Sequence, residues 1–409
     1  MGKKVPFPEI PFEEFEFRTK KAMKLLEEDG LDGLLLFNNQ NLTYYLGFRK
    51  TWSFQWLHAG ILTKEGVGGI VIPQIMHEVV RQTTWLDDEN IMPWGGATHW
   101  GYPKDPVEAV KKLIEKLGLR DKKIGVEVGG PAYSYMHVGL SEFDAVKAAF
   151  PKAKFVNATP TIWKQRMIKT PWEIDLIRQL CRITVKGIKT AIESIEEGIP
   201  ERKILEIFWQ TVISEGAFDT PISGDMMFRG GAKDYAMSTG RAVETKLTKG
   251  RQMFFDGGAS LKGYLIDMQR QFCIGEPPDL QKRLVEISEM GEKAAEKMFK
   301  PGNRVCDVHS AAMSVIGKVP SDLKAEITSL YSHTFMGHCE GLNIHEPPWI
   351  TADEQTVMLP GMIFALEVPA LDIPKFRVLG GFPEDLYLIT MDGHETLTDS
   401  IERKEFVIK

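Results

Sequence analysis

The chain has 409 residues, 43% hydrophobic and 26% charged, with 50 basic against 56 acidic side chains and a formal net charge of −6. That length exceeds what one hydrophobic core serves, so two domains are expected, and the balanced composition excludes a disordered or fibrous chain. Without a basic block or Arg/Lys stripe, neither nucleic acid nor an anionic membrane is an expected partner.

The apolar runs 33–37 and 66–73 are too short to span a bilayer. Met1-Gly2-Lys3-Lys4-Val5-Pro6 lacks an apolar signal core, and Pro6 stands where a myristoylation signal needs Ser or Thr. A cytoplasmic location is expected. Cys181, Cys273, Cys306 and Cys339 are scattered singly, which fits reduced thiols and argues against a cysteine metal site. Cys339, beside His338, is either a reactive thiol or a small buried filler.

In chain order, Phe17, Ala22, Met23, Leu25 and Leu26 predict an amphipathic helix over 15–29, stopped by Gly30. A buried strand follows at 34–37, then a polar turn from Asn38 to Gly47 containing Tyr44-Tyr45-Leu46, then an aromatic loop carrying Trp52, Phe54, Trp56 and His58. Strands at 60–62, 69–72 and 123–127, with helices at 106–117 and 141–149, make an α/β layer. The character changes between Pro160 and Pro171. Long helical patterns at 172–197 and 203–215 lead to a strand pair within 252–272, helices at 280–299 and after Cys306, and strands at 362–368 and 386–390. The class is therefore α/β (α+β), with domains 1–160 and 161–409. A helix pair followed by a hairpin occurs from 172 and again from 280, the pattern of a divergent internal duplication.

The stretch 254–272 reads as two short apolar strands, each carrying one acid, joined by a Gly-containing turn. A turn centred between Leu261 and Lys262 pairs residues whose numbers sum to 523, so that Asp256 faces Asp267. Facing carboxylates, with Cβ atoms roughly 4.5–5.5 Å apart, repel unless one is protonated or a cation lies between them. On this stretch alone, two exposed turn acids are an equal reading.

Three later clusters bear on the choice. His338 and His345 lie seven apart among Gly337, Gly341 and Pro347, and although an isolated histidine is more often structural, glycine lets the backbone approach a site closely. Glu367 ends the apolar run 361–368, where an acid buried without a cation or donor is rare. Glu384, the first of two acids, opens the apolar strand 384–390; for both glutamates a solvated strand end is the alternative. Taken together, Asp256, Asp267, His338, Glu367 and Glu384 carry about four negative charges, which two divalent cations neutralise. Oxygen-rich ligation favours Mn²⁺, Fe²⁺ or Co²⁺ over thiolate-rich structural zinc. Two neighbouring metals can hold a bridging hydroxide and polarise a carbonyl.

This succession, with GHCEGLNIHEPP at 337–348 and an apolar strand ending in Glu, resembles the pita-bread metallohydrolases: Xaa-Pro dipeptidase (prolidase), aminopeptidase P, methionine aminopeptidase and creatinase. The stretch 166–174 resembles the entry into their catalytic domain, and 34–47 the creatinase/prolidase amino-terminal domain. The resemblance implies a pita-bread catalytic domain behind a creatinase/prolidase-like one, and a homodimer. It implies that Asp256 and Asp267 bind one metal and Asp267, His338, Glu367 and Glu384 the other, with Asp267 and Glu384 bridging. Mn²⁺ is the first expectation, with Fe²⁺, Co²⁺ or Zn²⁺ as alternatives. It further implies that Glu367 moves protons, that His345 positions substrate or stabilises the tetrahedral intermediate, and that a metal-bridged hydroxide attacks an amide bond, as in Xaa-Pro dipeptides.

Three departures bear on the substrate. The peptidases carry a further histidine upstream of the first metal Asp, but here none occurs between His137 and His309, and Ser238 and Thr239 occupy the corresponding stretch. Phe382 stands where they tend to have Arg, and Cys339-Glu340 follow His338 in place of a small and an aliphatic residue. The alternative is a non-peptidase acting on a small charged metabolite: a creatinase-like or ectoine-hydrolase-like C–N hydrolase, or a dimethylsulfoniopropionate lyase. In that reading Trp52, Phe54 and Trp56 reach a neighbouring subunit's site and face an organic cation, or simply pack an interface. Arg229, Lys233 and Arg241 anchor a carboxylate or are solvated surface charge.

Overall fold

The structure, a computed structural model, describes residues 10–49, 56–96, 101–129, 137–217, 227–230, 244–250, 252–277, 279–316, 318, 335–368, 370–372, 379–381, 383–403 and 406–408. It divides into two compact units, Met1–Arg166 and Met167–Lys409. The expected aromatic loop falls largely outside these residues; within them Trp56 is exposed and His58 is buried, its ring 4.8 Å from Phe48.

The first unit runs α1 (Phe12–Glu28), β1 (Gly33–Leu36), α2 (Asn39–Leu46), β2 (Ala59–Thr63), β3 (Gly68–Pro73), α3 (His77–Thr83) and β4 (Ile91–Trp94). It continues with α4 (Pro106–Lys116), β5 (Lys123–Val126), α5 (Leu140–Ala149), β6 (Lys154–Asn157) and α6 (Thr159–Arg166). Its six strands lie in the order β4-β3-β2-β1-β5-β6. Leu35, Ile61, Val71, Ile124 and Val126 of the sheet pack with Leu113 of α4 and Phe143 of α5.

The polar turn expected at Asn38–Gly47 is instead the helix α2. Asn38 caps it, its side-chain oxygen accepting from the N–H groups of Gln40 and Asn41, and Gly47 ends it at φ 73°. The deciding partner comes from far along the chain. The buried carboxylate of Glu127, just past β5, accepts the N–H groups of Phe37 and Asn38 and the side-chain amide of Asn41. A run of Asn and Gln read locally suggests a turn, whereas a remote acceptor at the helix start converts it to helix. Burial pushes the Glu127 carboxyl up to about 7 while the Asn38, Asn41 and Phe37 donors and Arg166 pull it down.

The second unit runs α7 (Pro171–Glu193), α8 (Glu201–Ser214), β7 (Met227–Gly230), β8 (Gln252–Gly257), β9 (Ser260–Leu261), β10 (Tyr264–Leu265) and β11 (Met268–Ile274). After α9 (Asp279–Glu296) and α10 (Val305–Ile316) come β12 (Gly337–Cys339), β13 (Glu346–Trp349), β14 (Ile363–Glu367), β15 (Ala370–Asp372), β16 (Leu379–Gly381), β17 (Glu384–Ile389), β18 (His394–Thr396) and β19 (Phe406–Ile408). The main sheet has the order β13-β12-β14-β17-β11-β8-β7.

One face of this sheet is apolar and covered by helices. Phe364 and Leu366 of β14 and Tyr387 of β17 join Leu284 and Ala295 of α9 and Ala312 and Ile316 of α10 in a buried core. Because side chains alternate along a strand, Ala365 and Glu367 must then face the other way. Helix α7 fixes the hairpin. Thr170 and Glu173 form a capping box at its start, with Pro171 in the first turn. Glu173 accepts the Tyr264 hydroxyl at 2.7 Å, and Thr184 accepts the Ala259 N–H at 3.0 Å.

Replacing Glu127 by Ala orphans three buried donors, each costing roughly 1–3 kcal/mol. We therefore expect the Glu127→Ala chain to lose about 3 kcal/mol or more in urea unfolding followed by circular dichroism, with Glu127→Gln losing less. An unchanged midpoint would show that α2 does not depend on this carboxylate.

Candidate metal centre

The strand pairing differs from the expected register. Tyr264 pairs with Leu261, Met268 with Gly257, and Asp256 with Gln269, so partner numbers sum to 525 and Asp256 does not face Asp267 directly. The turn is centred between Lys262 and Gly263, both with positive φ (53° and 88°), the two-residue turn that matches strand twist. The Lys262-Gly263 pair thus places the turn one position further along. A shift of two in the partner sum leaves every side chain on its original face, so the two carboxylates become diagonal neighbours on one side of the sheet.

The pairing sets a transverse row. Asp256 lies opposite Gln269, Gln269 opposite Glu384, and Glu384 opposite Glu367, across β8, β11, β17 and β14. His338 on β12 pairs with Ala365, two residues from Glu367 and hence on the same face. Gly337 permits this approach: at φ 139° a Cβ there would sit 2.1 Å from the Ala365 carbonyl oxygen.

Three groups of side chains offer ligand atoms within 4.8 Å of one another: Asp256, Asp267 and Glu384; His338, Glu367 and Glu384; and Asp267, His338 and His345. All five expected metal-site residues thus converge, with Asp267, His338 and Glu384 each in two groups. His345, half-buried, brings Nε2 to 3.4 Å from Asp267 Oδ2, and its ring centroid lies 4.1 Å from that of His338.

The electrostatics are those of a cation cradle. His338 Nδ1 lies 3.0 Å from the Cys339 carbonyl, which can only accept, so Nδ1 carries the hydrogen and Nε2 faces the site. That Nε2 is 3.6 Å from Glu384 Oε1, 3.9 Å from Glu367 Oε1 and 4.0 Å from Asp267 Oδ2. Burial, then His345, lowers the imidazole pKa well below its usual value, which leaves a lone pair among carboxylate oxygens. Burial raises Glu367 to about 8, with Asp267 adding to the shift. Asp256 and Glu384 rise well above the carboxylate range, through burial first and then through their acidic neighbours. Among the described residues Asp267 Oδ1, His338 Nε2 and Glu384 Oε1 are buried and make no hydrogen bond. Converging orphaned acceptors fit divalent cations, which supply what these atoms lack.

Sequence reasoning missed several neighbours. Gln269 stands in the row between Asp256 and Glu384, buried, with neither amide atom hydrogen-bonded among the described residues; its signal was the two-residue spacing from Asp267 on a strand. Phe335 and Trp349 meet the two histidines edge-on, Trp349 pairing with His338 across β12 and β13. Asp385, the second acid of its pair, points to the opposite face, where Arg270 meets it at 2.6 Å and Arg403 at 2.6 Å. Cys339 is a buried filler, its thiol pushed up to about 12 by burial. Ser238, Thr239, Lys233, Arg241 and Phe382 lie outside the described residues, as does the Arg229 side chain.

A mixed sheet carrying a convergent set of carboxylates and imidazole defines a metal-dependent hydrolase of the pita-bread type. Residues 175–391 match the metallopeptidase family M24, and residues 18–168 match the creatinase/prolidase N-terminal domain; the chain belongs to that metallopeptidase family. An Xaa-Pro dipeptidase of Pyrococcus horikoshii is 28% identical over 93% of this chain and 96% of its own length. A creatinase of a Bacillus species (strain B-0618) is 26% identical over 97% and 93%. Among solved structures, a prolidase from Thermococcus sibiricus superposes with a TM-score of 0.79 at 22% identity, covering 96% of this chain and 99% of its own.

Because the folded metal-free site keeps protons on Glu367 that the unfolded chain releases above its ordinary 4.5, the folded state binds more protons between about pH 4.5 and 8. Stability must therefore fall as pH rises through that window. Thermal melts of the metal-free protein should drop by roughly 5 °C or more from pH 5 to pH 8, and a divalent cation should reverse the loss. A flat or rising melting temperature would contradict the cradle.

Proposed function

We propose that Asp256, Asp267, His338, Glu367 and Glu384 hold two divalent cations, Mn²⁺ first among the candidates, and that the enzyme hydrolyses the peptide bond of Xaa-Pro dipeptides. The observation that carries the site is the convergence of buried acceptors from Asp267, His338 and Glu384, without a hydrogen bond among the described residues. The substrate follows from the Xaa-Pro dipeptidases to which nearly the whole chain is similar.

Cations bound there acidify a water and polarise a carbonyl oxygen. The chain's own groups do the rest. Glu367 is the most suitable proton carrier: its side chain is 20% exposed whereas His338, Asp267 and Glu384 are nearly closed off, so it reaches both the site and the incoming substrate. It takes the proton of the attacking water and returns it to the departing nitrogen. His345, also part-exposed, donates toward the substrate carbonyl as charge develops, while Asp267 beside it holds the ring. The aromatic rings of Phe335 and Trp349 limit the motion of both histidines.

A second reading, hydrolysis of a C–N bond in a small charged metabolite, is favoured by the absence of any histidine between His137 and His309 and by the likeness to a creatinase. A homodimer in a reducing compartment completes the proposal, the latter supported by four free cysteines.

Chelation should abolish turnover and Mn²⁺ restore it, and Glu367→Gln should lower kcat by roughly 10²–10⁴-fold. Full activity after chelation, in protein shown by elemental analysis to be metal-free, would overturn the mechanism. Xaa-Pro dipeptides assayed beside creatine and ectoine decide the substrate, cleavage of the latter two alone favouring the second reading.

A further inference from the structure

Cys339-Glu340 departs from the family pattern, and the structure gives Glu340 a specific contact. Asp267 lies between β10 and β11, outside both strands. Its backbone N–H is donated instead to Glu340 Oε2 at 2.8 Å. The neighbouring Leu265 N–H is donated to the Gly341 carbonyl at 2.8 Å, so the segment after His338 grips the hairpin at two points.

Glu340 is fully buried, and burial, then the neighbouring Asp267, raises its carboxyl well above the usual range. Lys169, from the segment entering α7, is also buried; its Nζ lies 3.5 Å from Glu346 Oε2, and its positive field acts on Glu340. Lys169 is held by its own N–H to the Gly361 carbonyl at 2.9 Å, and Glu346 by the N–H of Asn343 at 3.1 Å. Gly341 keeps this group compact, since a Cβ there would lie 3.2 Å from Glu346 Oε2 and 3.4 Å from Lys169 Cε. A buried lysine thus meets the buried Glu346 carboxylate beside the segment that carries Glu340.

The acceptor that Glu340 supplies reaches an N–H that neither strand uses. Here it fixes the backbone of the residue that two ligand groups share. We propose that Glu340 is a positioning residue that acts through Asp267 to set its carboxylate for divalent-cation binding. The inference rests on the reading of Asp267 as a metal ligand. The contact requires only the acceptor oxygen of Glu340, not its charge.

The test is cobalt(II) titration of the metal-free full chain, followed by calorimetry and by the visible d–d absorption of the bound ion, for wild type, Glu340→Leu, Glu340→Gln and Asp267→Asn. Loss of the acceptor should weaken cation binding by roughly 10–100-fold in Glu340→Leu, the scale of outer-shell effects, and change the absorption band. Glu340→Gln, which keeps an acceptor oxygen, should stay within roughly threefold of wild type on the same scale. Glu340→Leu binding like wild type would overturn the inference, as would Glu340→Gln losing as much as Glu340→Leu. If circular dichroism shows Glu340→Leu unfolded, Glu340→Ala takes its place with the same two outcomes. Asp267→Asn binding cobalt like wild type would instead overturn the metal site itself, so the two failures are distinct.

Discussion

Mutual repulsion among buried carboxylates is the constraint around which the second unit is built. Ligand oxygens of Asp256, Asp267 and Glu384 lie within 4.8 Å of one another, and at that separation each pair of full charges costs about 3–4 kcal/mol at an effective dielectric near 20. Burial adds a desolvation cost to each. A fold that only needed stability would replace such a row with apolar residues. The acids either keep protons, as burial and then Asp267 make Glu367 do up to about 8, or receive cations that convert repulsion into ligation.

What imposes the crowding is the rest of the sheet. Phe364 and Leu366 anchor β14 to the helices and leave Glu367 no other face. On the covered side Arg270 donates to the carbonyls of Gln269 and Glu384 at 2.7 and 2.8 Å and to Asp385, tying β11 to β17 at the level of the row. Gly337 lets β12 close against β14. Packing and hydrogen bonds made behind the row thus meet the cost incurred on its open face, the usual way in which strain at a functional site is sustained.

Much of this was legible in the sequence, and the exceptions have physical causes. The five ligand positions could be read because each acid or imidazole sits in an apolar or glycine-flanked context and because the order is distinctive. The hairpin register was misplaced because the turn depends on positive φ at Lys262 and Gly263, and a lysine does not announce that conformation. Helix α2 was hidden because its decisive acceptor, Glu127, lies ninety residues away, just past β5. Gln269 and the Glu340 contact were hidden for a related reason: which side chains share a row depends on pairing between strands distant in sequence. The departures at Phe382 and Ser238 stay informative as sequence alone.

The central claim is that Asp256, Asp267, His338, Glu367 and Glu384 together hold two cations. The most direct measurement is anomalous diffraction from crystals of the full chain grown with Mn²⁺. The expected result is two strong peaks, one among Asp256, Asp267 and Glu384 and one among His338, Glu367 and Glu384. No peak at the row, with manganese bound elsewhere on the chain, would contradict it.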